Sequence, residues 1–334
     1  MKFTFSLWLL LIISLVRAQE DPVAAANAAW AARDYAKAAQ LSDAPAAAGN
    51  AAALYMKGRM AETGRGAAQS HAAAAKFYQQ AMEKDNAEAT SAYGRYLVAG
   101  LGGVEKDEKR GLFLIRKAAE AGSSGAMTIL GEFADRGVGQ EPDPRTAAFW
   151  YQRAAAEKDP LGCMGLAQLY DRGVPGLVKD EGRATALVLD AVKLGEPLAM
   201  NEMGIRYQHG RGVVADSVAA VGWFSLAAQH DLAAARINLG NCYESGNGCV
   251  KDYNRAGANY AAAAKQGHPV GQFLLASLFE RGLGGEVNKL SAYVNYHRSA
   301  SGGFKDAESK RDELKAALSA EQLKEAEKLL APEK

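Results

Sequence analysis

Apolar residues in this chain recur with the spacing of a helix face. In residues 74–81, 147–154 and 220–227, small residues at the first and eighth positions enclose a bulky pair at the fourth and fifth, such as Trp223-Phe224. Residues three, four and seven apart share one face of an α-helix, and small residues on that face let a neighbouring helix approach closely. The pattern predicts amphipathic helices that nest against one another.

Two further periodic sets predict where helices end and begin. Glycine recurs every 36 or 37 residues, at Gly64, Gly100, Gly137, Gly173, Gly210, Gly246 and Gly282. Six or seven positions after each glycine stands a polar residue: Ser70, Asp107, Asp143, Asp180, Asp216, Asp252 and Asn288. Glycine is favoured where a helix ends in the left-handed conformation, and Ser, Asp and Asn are favoured as helix N-caps. We therefore expect seven copies of a helix, a short loop and a second helix.

The first helix of each copy carries a small residue six positions before its terminal glycine: Gly58, Gly94, Gly131, Ala167, Gly204, Gly240 and Ala276. Glycine inside a helix costs about 1 kcal/mol relative to alanine, so its recurrence indicates a close helix contact. One hairpin cannot bury its apolar face alone, but stacked copies can. With 49% hydrophobic and only 8% aromatic residues, the predicted fold class is an all-α solenoid.

The fifth copy resembles the Sel1-like repeat, a relative of the tetratricopeptide repeat (TPR). The matching residues are Met203-Gly204, Tyr207, Gly210-Arg211-Gly212-Val213, Asp216, Ala220, Trp223-Phe224 and Ala227-Ala228. The resemblance covers residues 50–303 as seven repeats. It implies a right-handed α-solenoid of helix-turn-helix units that serves as an adaptor for protein complexes.

The ends differ from the repeats. Residues 1–18 resemble a cleaved secretory signal, with Lys2, an apolar stretch and a cut before Gln19; an uncleaved anchor is the alternative. Residues 19–49 are expected to form one N-terminal capping helix, over residues 22–41, followed by a loop marked by Pro45 and Gly49. Residues 304–334 are expected to form two capping helices, with Ser319 as a cap. This tail is alternatively a partner-binding helix.

Charge narrows the choice of partners. The chain has 39 basic and 38 acidic residues; without Lys2 and Arg17 the counts are 37 and 38, a net charge of −1. Nucleic-acid binders concentrate positive charge, and no Lys/Arg run here exceeds two residues. We expect no nucleic-acid partner, no cofactor, no metal and no stable membrane insertion after signal cleavage. The predicted location is the periplasm or the exterior of the cell.

The TPR-like geometry that the resemblance implies directs four first-helix positions into a concave groove. These are the residue three before the small helical residue, the one after it, and the fourth and fifth after it. The candidate partner-binding residues are Tyr55, Arg59, Arg95, Glu132, Asp135, Arg136, Gln168, Asp171, Arg172, Asn201, Gln208, His209, Asn241, Glu244, Glu280 and Arg281. Glu62, Ser91 and Thr128 occupy the same positions. The alternative is that acid–arginine pairs such as Asp171-Arg172 are solvated and only satisfy helix ends.

Cysteines and histidines offer few further sites. Cys242 lies on a first helix and Cys249 in the loop that folds back after it, so the two can come close enough for a disulfide, and whether they form one is left open. Cys163 is expected to be a small buried residue. None of the five histidines has a metal-binding spacing. His230 and His268 are expected near second-helix ends, where the helix dipole favours a positive imidazole.

The expected function is therefore a non-enzymatic scaffold that binds a protein or peptide. The alternative is a cell-envelope enzyme of the Sel1-like β-lactamase or penicillin-binding type. The sequence contains neither the S-x-x-K pair of the serine enzymes nor a G-x-S-x-G elbow.

Overall fold

A computed structural model of the chain describes residues 22–331, and this part contains eighteen α-helices and no strand. The helices are α1 (Pro22–Ala31), α2 (Tyr35–Ala47), α3 (Ala51–Thr63), α4 (His71–Met82), α5 (Ala87–Ala99), α6 (Glu108–Glu120), α7 (Ser124–Arg136), α8 (Pro144–Ala156), α9 (Pro160–Arg172), α10 (Glu181–Lys193), α11 (Pro197–His209), α12 (Ser217–Gln229), α13 (Ala233–Ser245), α14 (Tyr253–Lys265), α15 (Pro269–Arg281), α16 (Lys289–Ser301), α17 (Asp306–Ala317) and α18 (Ala320–Leu330). The expected all-α class of paired helices is confirmed. The predicted signal segment, residues 1–18, lies outside the described residues.

The seven predicted second helices all begin at the predicted caps. In each of α4, α6, α8, α10, α12, α14 and α16 the cap side chain accepts a hydrogen bond from a backbone N–H of the first turn. Asp252, for example, accepts from the N–H of Arg255 at 3.0 Å. Such a bond satisfies one of the donors that a helix start leaves without a partner, which fixes the first residue of the helix.

The first helices end at the predicted glycines. Gly210 closes α11 with φ +70°, and its N–H donates to the carbonyl of Arg206. The other six terminal glycines also have positive φ values, between 66° and 78°. An L-residue enters this conformation at a cost of about 1–2 kcal/mol, so glycine is the residue that ends the helix without strain.

Each hairpin closes around the small residue inside its first helix. A Cβ built on Gly204 would lie 2.4 Å from the ring of Phe224, and one on Gly58 would lie 2.4 Å from the ring of Tyr78. Both rings are fully buried. The helical glycines are therefore positions where a bulky second-helix side chain reaches the backbone of the first helix.

A third periodic set, which was not predicted, completes the repeat. Asn50, Asn86, Ser123 and Asp159, spaced 36 or 37 residues apart, accept hydrogen bonds from backbone N–H groups at the starts of the first helices. The later copies hold Leu232 and His268 there, without a side-chain cap. His230 is the C-cap of the second helix α12, as expected, whereas His268 is the N-cap of the first helix α15.

The N-terminal segment differs from the single helix that was expected. It forms α1 and α2, because Arg33 adopts a left-handed φ of 63° and Asp34 caps a new helix by accepting from Lys37. Pro45 lies inside α2 and not in a loop. Pro45 has no N–H to donate to the preceding turn, and because it stands in the last turn of α2, only the end of the helix loses a hydrogen bond.

At the C-terminal end two helices are found, as the sequence predicts. Ser319 forms a capping box with Gln322 at the start of α18. Ala307, Leu314 and Ala326 from α17 and α18 are buried in one cluster with Tyr293 and Tyr296 of α16. The two helices thereby cover the apolar face of the last repeat.

The chain divides into two compact units, residues 1–165 and 166–334, with the division inside α9. In unit 1 the core includes a cluster of Ala74, Tyr78, Tyr93 and Tyr96. In unit 2 an equivalent cluster is built around Phe224, with Ala220, Ala227 and Leu239 among its members. Within residues 22–331 no helix combines the length and the apolar composition that crossing a bilayer requires.

Candidate binding cleft

Several first-helix positions that were expected to face a groove line one cleft in unit 1. Tyr55 of α3, Ser91 and Arg95 of α5, and Thr128 and Glu132 of α7 all contribute to it. The remaining lining residues that matter below are Glu88, Ile129, Asp159 and Leu161. The cleft has a volume of about 330 Å³. It arises because successive hairpins present the same face of their first helices side by side.

The polar groups of this cleft are held in fixed positions. Asp159 accepts hydrogen bonds from Thr128 Oγ1 at 2.9 Å, from Ser124 Oγ at 3.3 Å and from the N–H of Gly162 at 2.8 Å. Glu132 accepts from Arg136 Nη1 at 2.6 Å. These bonds orient both carboxylates without covering them, since Glu132 and Asp159 stay half-buried.

The apolar part of the cleft is only partly covered. Leu161 is 45% exposed, and Tyr55 and Ile129 are half-buried. The Tyr55 ring centroid lies 5.8 Å from that of Tyr78, so the ring is supported from behind by the core. Burial raises the pKa of Tyr55, and its hydroxyl therefore stays protonated at neutral pH. The cleft combines exposed apolar surface with oriented acidic groups.

Other predicted groove residues serve to link neighbouring repeats. Glu62 of α3 accepts from Tyr78 of α4 at 2.6 Å and from Arg95 of α5 at 3.1 Å. Glu244 of α13 likewise accepts from Tyr260 of α14 and from Arg281 of α15, each at 2.9 Å. We call each set an acid–tyrosine–arginine network. It joins the two helices of one repeat to the first helix of the next.

The last repeat contains a variant of this network. Glu280 accepts from Tyr296 at 2.8 Å, and Lys310 of α17 takes the place of the arginine at 3.7 Å. Burial together with the bond to the acid raises the pKa of Tyr78, Tyr260 and Tyr296. Each hydroxyl consequently remains a donor to its carboxylate. Glu280, which the alternative interpretation treats as part of a solvated acid–arginine pair, is therefore hydrogen-bonded to the second helix of its repeat.

Where the second helix lacks a tyrosine, the acid is either absent or paired with another residue. In the fifth repeat the equivalent residues are Gln208 and Phe224, and in the second they are Val98 and Ile115. The fourth repeat keeps Asp171 with Val188, and Asp171 pairs instead with Arg206, whose side chain is only 1% exposed. Arg206 also donates to Thr185 Oγ1 at 3.1 Å. Burying a charge without a partner is costly, so Asp171 and Arg206 depend on each other.

The remaining candidates occupy varied surroundings. Arg59 stacks on the Trp30 ring at 4.6 Å, and Asn201 is buried and accepts from Asn238 at 2.9 Å. The side-chain amide of Asn241 lies 2.7 Å from the hydroxyl of Tyr260. Asp135 and Gln208 are half-buried, whereas Gln168, Arg172 and His209 are exposed on their first helices. Only part of the predicted groove set is thus collected in the cleft of unit 1.

The two cysteines of the sixth repeat are neighbours in the structure. Cys249 packs against the cluster that contains buried Cys242, and no bond joins the two sulfur atoms. Burial raises the pKa of the Cys242 thiol to about 11, so little thiolate is present at neutral pH. A disulfide between them stays a prediction. Across residues 22–331 no group of three or more His, Cys, Asp or Glu side chains is arranged to hold a metal ion.

Glu88, Asp159 and Leu161 were not among the predicted groove residues. Glu88 lies on the first turn of α5, and Asp159 caps α9. The signal that identifies Asp159 is its place in the series of first-helix caps. Leu161 carries no such signal, because only the folded chain shows that it stays exposed beside Ile129.

Paired helices, repeated at a constant interval and joined by side chains between copies, define an α-solenoid scaffold. The profile of the Sel1 repeat matches seven segments, at residues 51–86, 87–123, 124–159, 160–195, 197–232, 233–268 and 269–304. The chain belongs to the Sel1 repeat family.

Similar proteins of known structure include two bacterial members of this class. A protective antigen from uropathogenic Escherichia coli with an SLR fold is 27% identical, with a TM-score of 0.64, over 89% of this chain and 63% of that one. A Sel1 repeat protein from Oxalobacter formigenes is 27% identical, with a TM-score of 0.61, over 83% of this chain and 80% of the other.

Two curated relatives are fungal regulators. A chitin synthase regulator of Saccharomyces cerevisiae is 32% identical over 129 residues, which are 37% of this chain and 18% of the relative. Chitin synthase regulatory factor 3 of Schizosaccharomyces pombe is 30% identical over 139 residues, 41% of this chain and 15% of the relative. The chain thus spans less than a fifth of the length of either regulator.

Proposed function

We propose that this protein is an exported, non-catalytic scaffold that holds a segment of another protein in the cleft of unit 1. The observation that carries the proposal is the convergence of first-helix side chains from several consecutive repeats on one partly apolar cleft. Its exposed members Leu161 and Glu88 make no contribution to a buried core. Clefts with an apolar lining and a few fixed polar groups are typical ligand sites.

Two further observations support binding over catalysis. The curated relatives are described as a regulator and a regulatory factor of chitin synthase, and not as enzymes. Burial raises the pKa of Tyr55 in the cleft, and a tyrosine that is held protonated is a poor nucleophile. The rival assignment, an envelope enzyme acting on β-lactams, has no S-x-x-K pair to support it.

Site-specific photo-crosslinking tests the proposal. A benzoylphenylalanine at position 129, in the cleft, is expected to form an adduct with a partner protein in cells. The same group at position 152, an exposed position of α8 outside the cleft, is expected to form none. Adducts of equal yield at both positions, or none at position 129, would contradict a binding role for the cleft. Turnover of nitrocefin by the purified protein would instead favour the enzyme.

Export is tested separately. The proposed signal at residues 1–18 predicts that protein recovered outside the cytoplasm begins at Gln19. Mass spectrometry of the intact protein measures this directly. Protein found only in the cytoplasm, with residues 1–18 still attached, would refute the proposal on location and leave the binding proposal standing.

A further inference from the structure

The charges that line the cleft do not balance. Glu88, Glu132 and Asp159 contribute three carboxylates, and Arg95 contributes one guanidinium. Two neighbouring ion pairs, Arg95 with Glu62 and Arg136 with Glu132, add one acid and one base and leave the excess unchanged. These six groups carry four negative and two positive charges, a net charge of −2, and Arg59, whose guanidinium lies 5.9 Å from the Tyr55 ring, adds one positive charge beside the cleft.

The excess falls on two carboxylates. Arg95 is matched by Glu62 and Arg136 by Glu132, so Asp159 and Glu88 remain. The donors to Asp159 are the hydroxyls of Thr128 and Ser124 and a backbone N–H, all of them uncharged. Glu88 is exposed. A cation brought between these side chains would therefore meet two carboxylates that form no ion pair with a basic side chain within residues 22–331.

The cleft also contains a polar atom without a partner. Ser91 forms part of the lining and is only 3% exposed, and its hydroxyl makes no hydrogen bond within the described residues. Buried hydroxyls are almost always hydrogen-bonded, because an unsatisfied one loses the bonds that water supplies in the unfolded chain. Ser91 lines the same cleft as Glu88 and Asp159. A ligand that donates hydrogen bonds to these carboxylates would also be close to the Ser91 hydroxyl.

The apolar side of the cleft limits what can bind beside a cation. Leu161, Ile129 and the ring of Tyr55 form a surface that a hydrated metal ion or a free ammonium ion would leave uncovered. A polypeptide that carries both a basic and an aliphatic side chain satisfies both parts at once. An acidic segment would face a net repulsion.

We infer that the cleft of unit 1 binds a polypeptide segment in which lysine or arginine side chains stand next to aliphatic ones. The basic group lies between Asp159 and Glu88, and the aliphatic side chain covers Leu161 and Ile129. This inference rests on the proposed scaffold function and adds the chemistry of the partner.

Peptide binding to the purified protein tests the inference. The probe is a dye-labelled, end-capped nine-residue peptide of glycine and serine with two lysines and two leucines. The matched probe replaces both lysines by glutamates. Fluorescence anisotropy is expected to show saturable binding of the lysine peptide that weakens with added salt, and at least tenfold weaker binding of the glutamate peptide.

Variants locate the binding. Asp159→Asn and Glu88→Gln each remove a charge with little change of shape, and Asn preserves the helix cap, so each is expected to weaken the lysine peptide about fivefold. The control is Glu120→Gln, because Glu120 is an exposed residue of α6 outside the cleft, and this variant is expected to leave the affinity unchanged. Unchanged binding in both cleft variants would overturn the inference.

A second pair of variants tests the apolar side. Leu161 and Leu198 occupy the same position in consecutive repeats and are 45% and 42% exposed. Leu161→Ala is expected to weaken the lysine peptide severalfold, and Leu198→Ala is not. If both probes bind equally and both lose affinity in Leu161→Ala, the scaffold function stands and the basic specificity is wrong. If neither probe binds, the inference fails whatever partner the crosslinking experiment identifies.

Discussion

Substitution of the glycine inside a first helix tests the packing on which the repeat depends. A Cβ at Gly204 would lie 2.4 Å from Cε1 and 2.5 Å from Cδ1 of Phe224. Ordinary contacts of this kind begin at 3.4 Å, so the ring must retreat by about 1 Å. Phe224 is fully buried in one cluster with Ala220 and Ala227. Helices α11 and α12 must therefore move apart.

The expected cost follows from two opposing effects. Overpacking a core of this kind costs about 1–3 kcal/mol. Alanine recovers about 1 kcal/mol of helix propensity relative to glycine. The seventh repeat accommodates Ala276 together with Tyr296, so the extra methyl is tolerated where the helices are built around it. We expect Gly204→Ala to lower the free energy of unfolding by an amount between zero and about 2 kcal/mol.

A matched control lies on the partner helix. Gly222 of α12 is exposed, and a Cβ built there meets nothing within 4 Å. Gly222→Ala is expected to raise the free energy of unfolding by about 1 kcal/mol, because only the propensity changes. Urea unfolding followed by circular dichroism at 222 nm, and by the fluorescence of tryptophans that include nearby Trp223, measures both variants.

A third variant separates contact from propensity. Gly204→Ala combined with Phe224→Val reproduces the Ala167 and Val188 pair of the fourth repeat. The double variant is expected to lose at least about 1 kcal/mol less than the sum of the two single losses, since the added methyl then fills space that the ring has left. Equal stabilisation by Gly204→Ala and Gly222→Ala, or strict additivity in the double variant, would show that close contact does not explain the glycine.

Three other predictions follow from the same repeat. Tyr260→Phe removes a charge-assisted hydrogen bond to Glu244 and should lower the free energy of unfolding by about 1.5–3 kcal/mol. The control Tyr253→Phe, on the same helix, should lower it by less than about 0.5 kcal/mol. If Tyr260→Phe shows no coupling with Glu244→Gln in a double-mutant cycle, the network is contradicted. The pKa of Tyr78, Tyr260 and Tyr296 is raised above the ordinary 10.0, and that of Tyr96 to about 12, so the folded chain binds more protons than the unfolded chain above pH 10. This stability is complete below pH 10 and should be lost progressively towards pH 12, as urea midpoints will show; a midpoint that does not fall over this range would contradict the burial of these hydroxyls. Lys158 has a φ of +59°, and the equivalent residues in neighbouring repeats are Gly122 and Gly195. Lys158→Gly should therefore raise the free energy of unfolding by about 1 kcal/mol, and Gly195→Ala should lower it by a similar amount. Changes of the opposite sign would refute backbone strain at this position.

Local chain chemistry was sufficient to predict much of the fold. The cap residues from Ser70 to Asn288 and the glycines from Gly64 to Gly282 act on backbone groups a few residues away, so their effect does not depend on distant parts of the chain. The break between α1 and α2 was missed because Arg33 adopts a positive φ that nothing in its side chain announces. A positive φ can be predicted where glycine occupies the position, and it cannot be predicted where another residue, such as Arg33, adopts it.

The roles of the charged side chains depended on tertiary structure. The sequence places Glu244, Arg281 and Glu132 at equivalent or neighbouring first-helix positions, all with the same expectation of a groove. Folding commits Glu244 and Arg281 to a network between repeats, whereas Glu132 faces an open cleft. The difference arises from residues 16 to 37 positions away in the chain, because a tyrosine on the second helix and an arginine on the next repeat decide whether an acid is already satisfied. Periodicity fixes which positions share a face of the first helices, and only the packed neighbours determine which of them are bonded between repeats and which line the cleft.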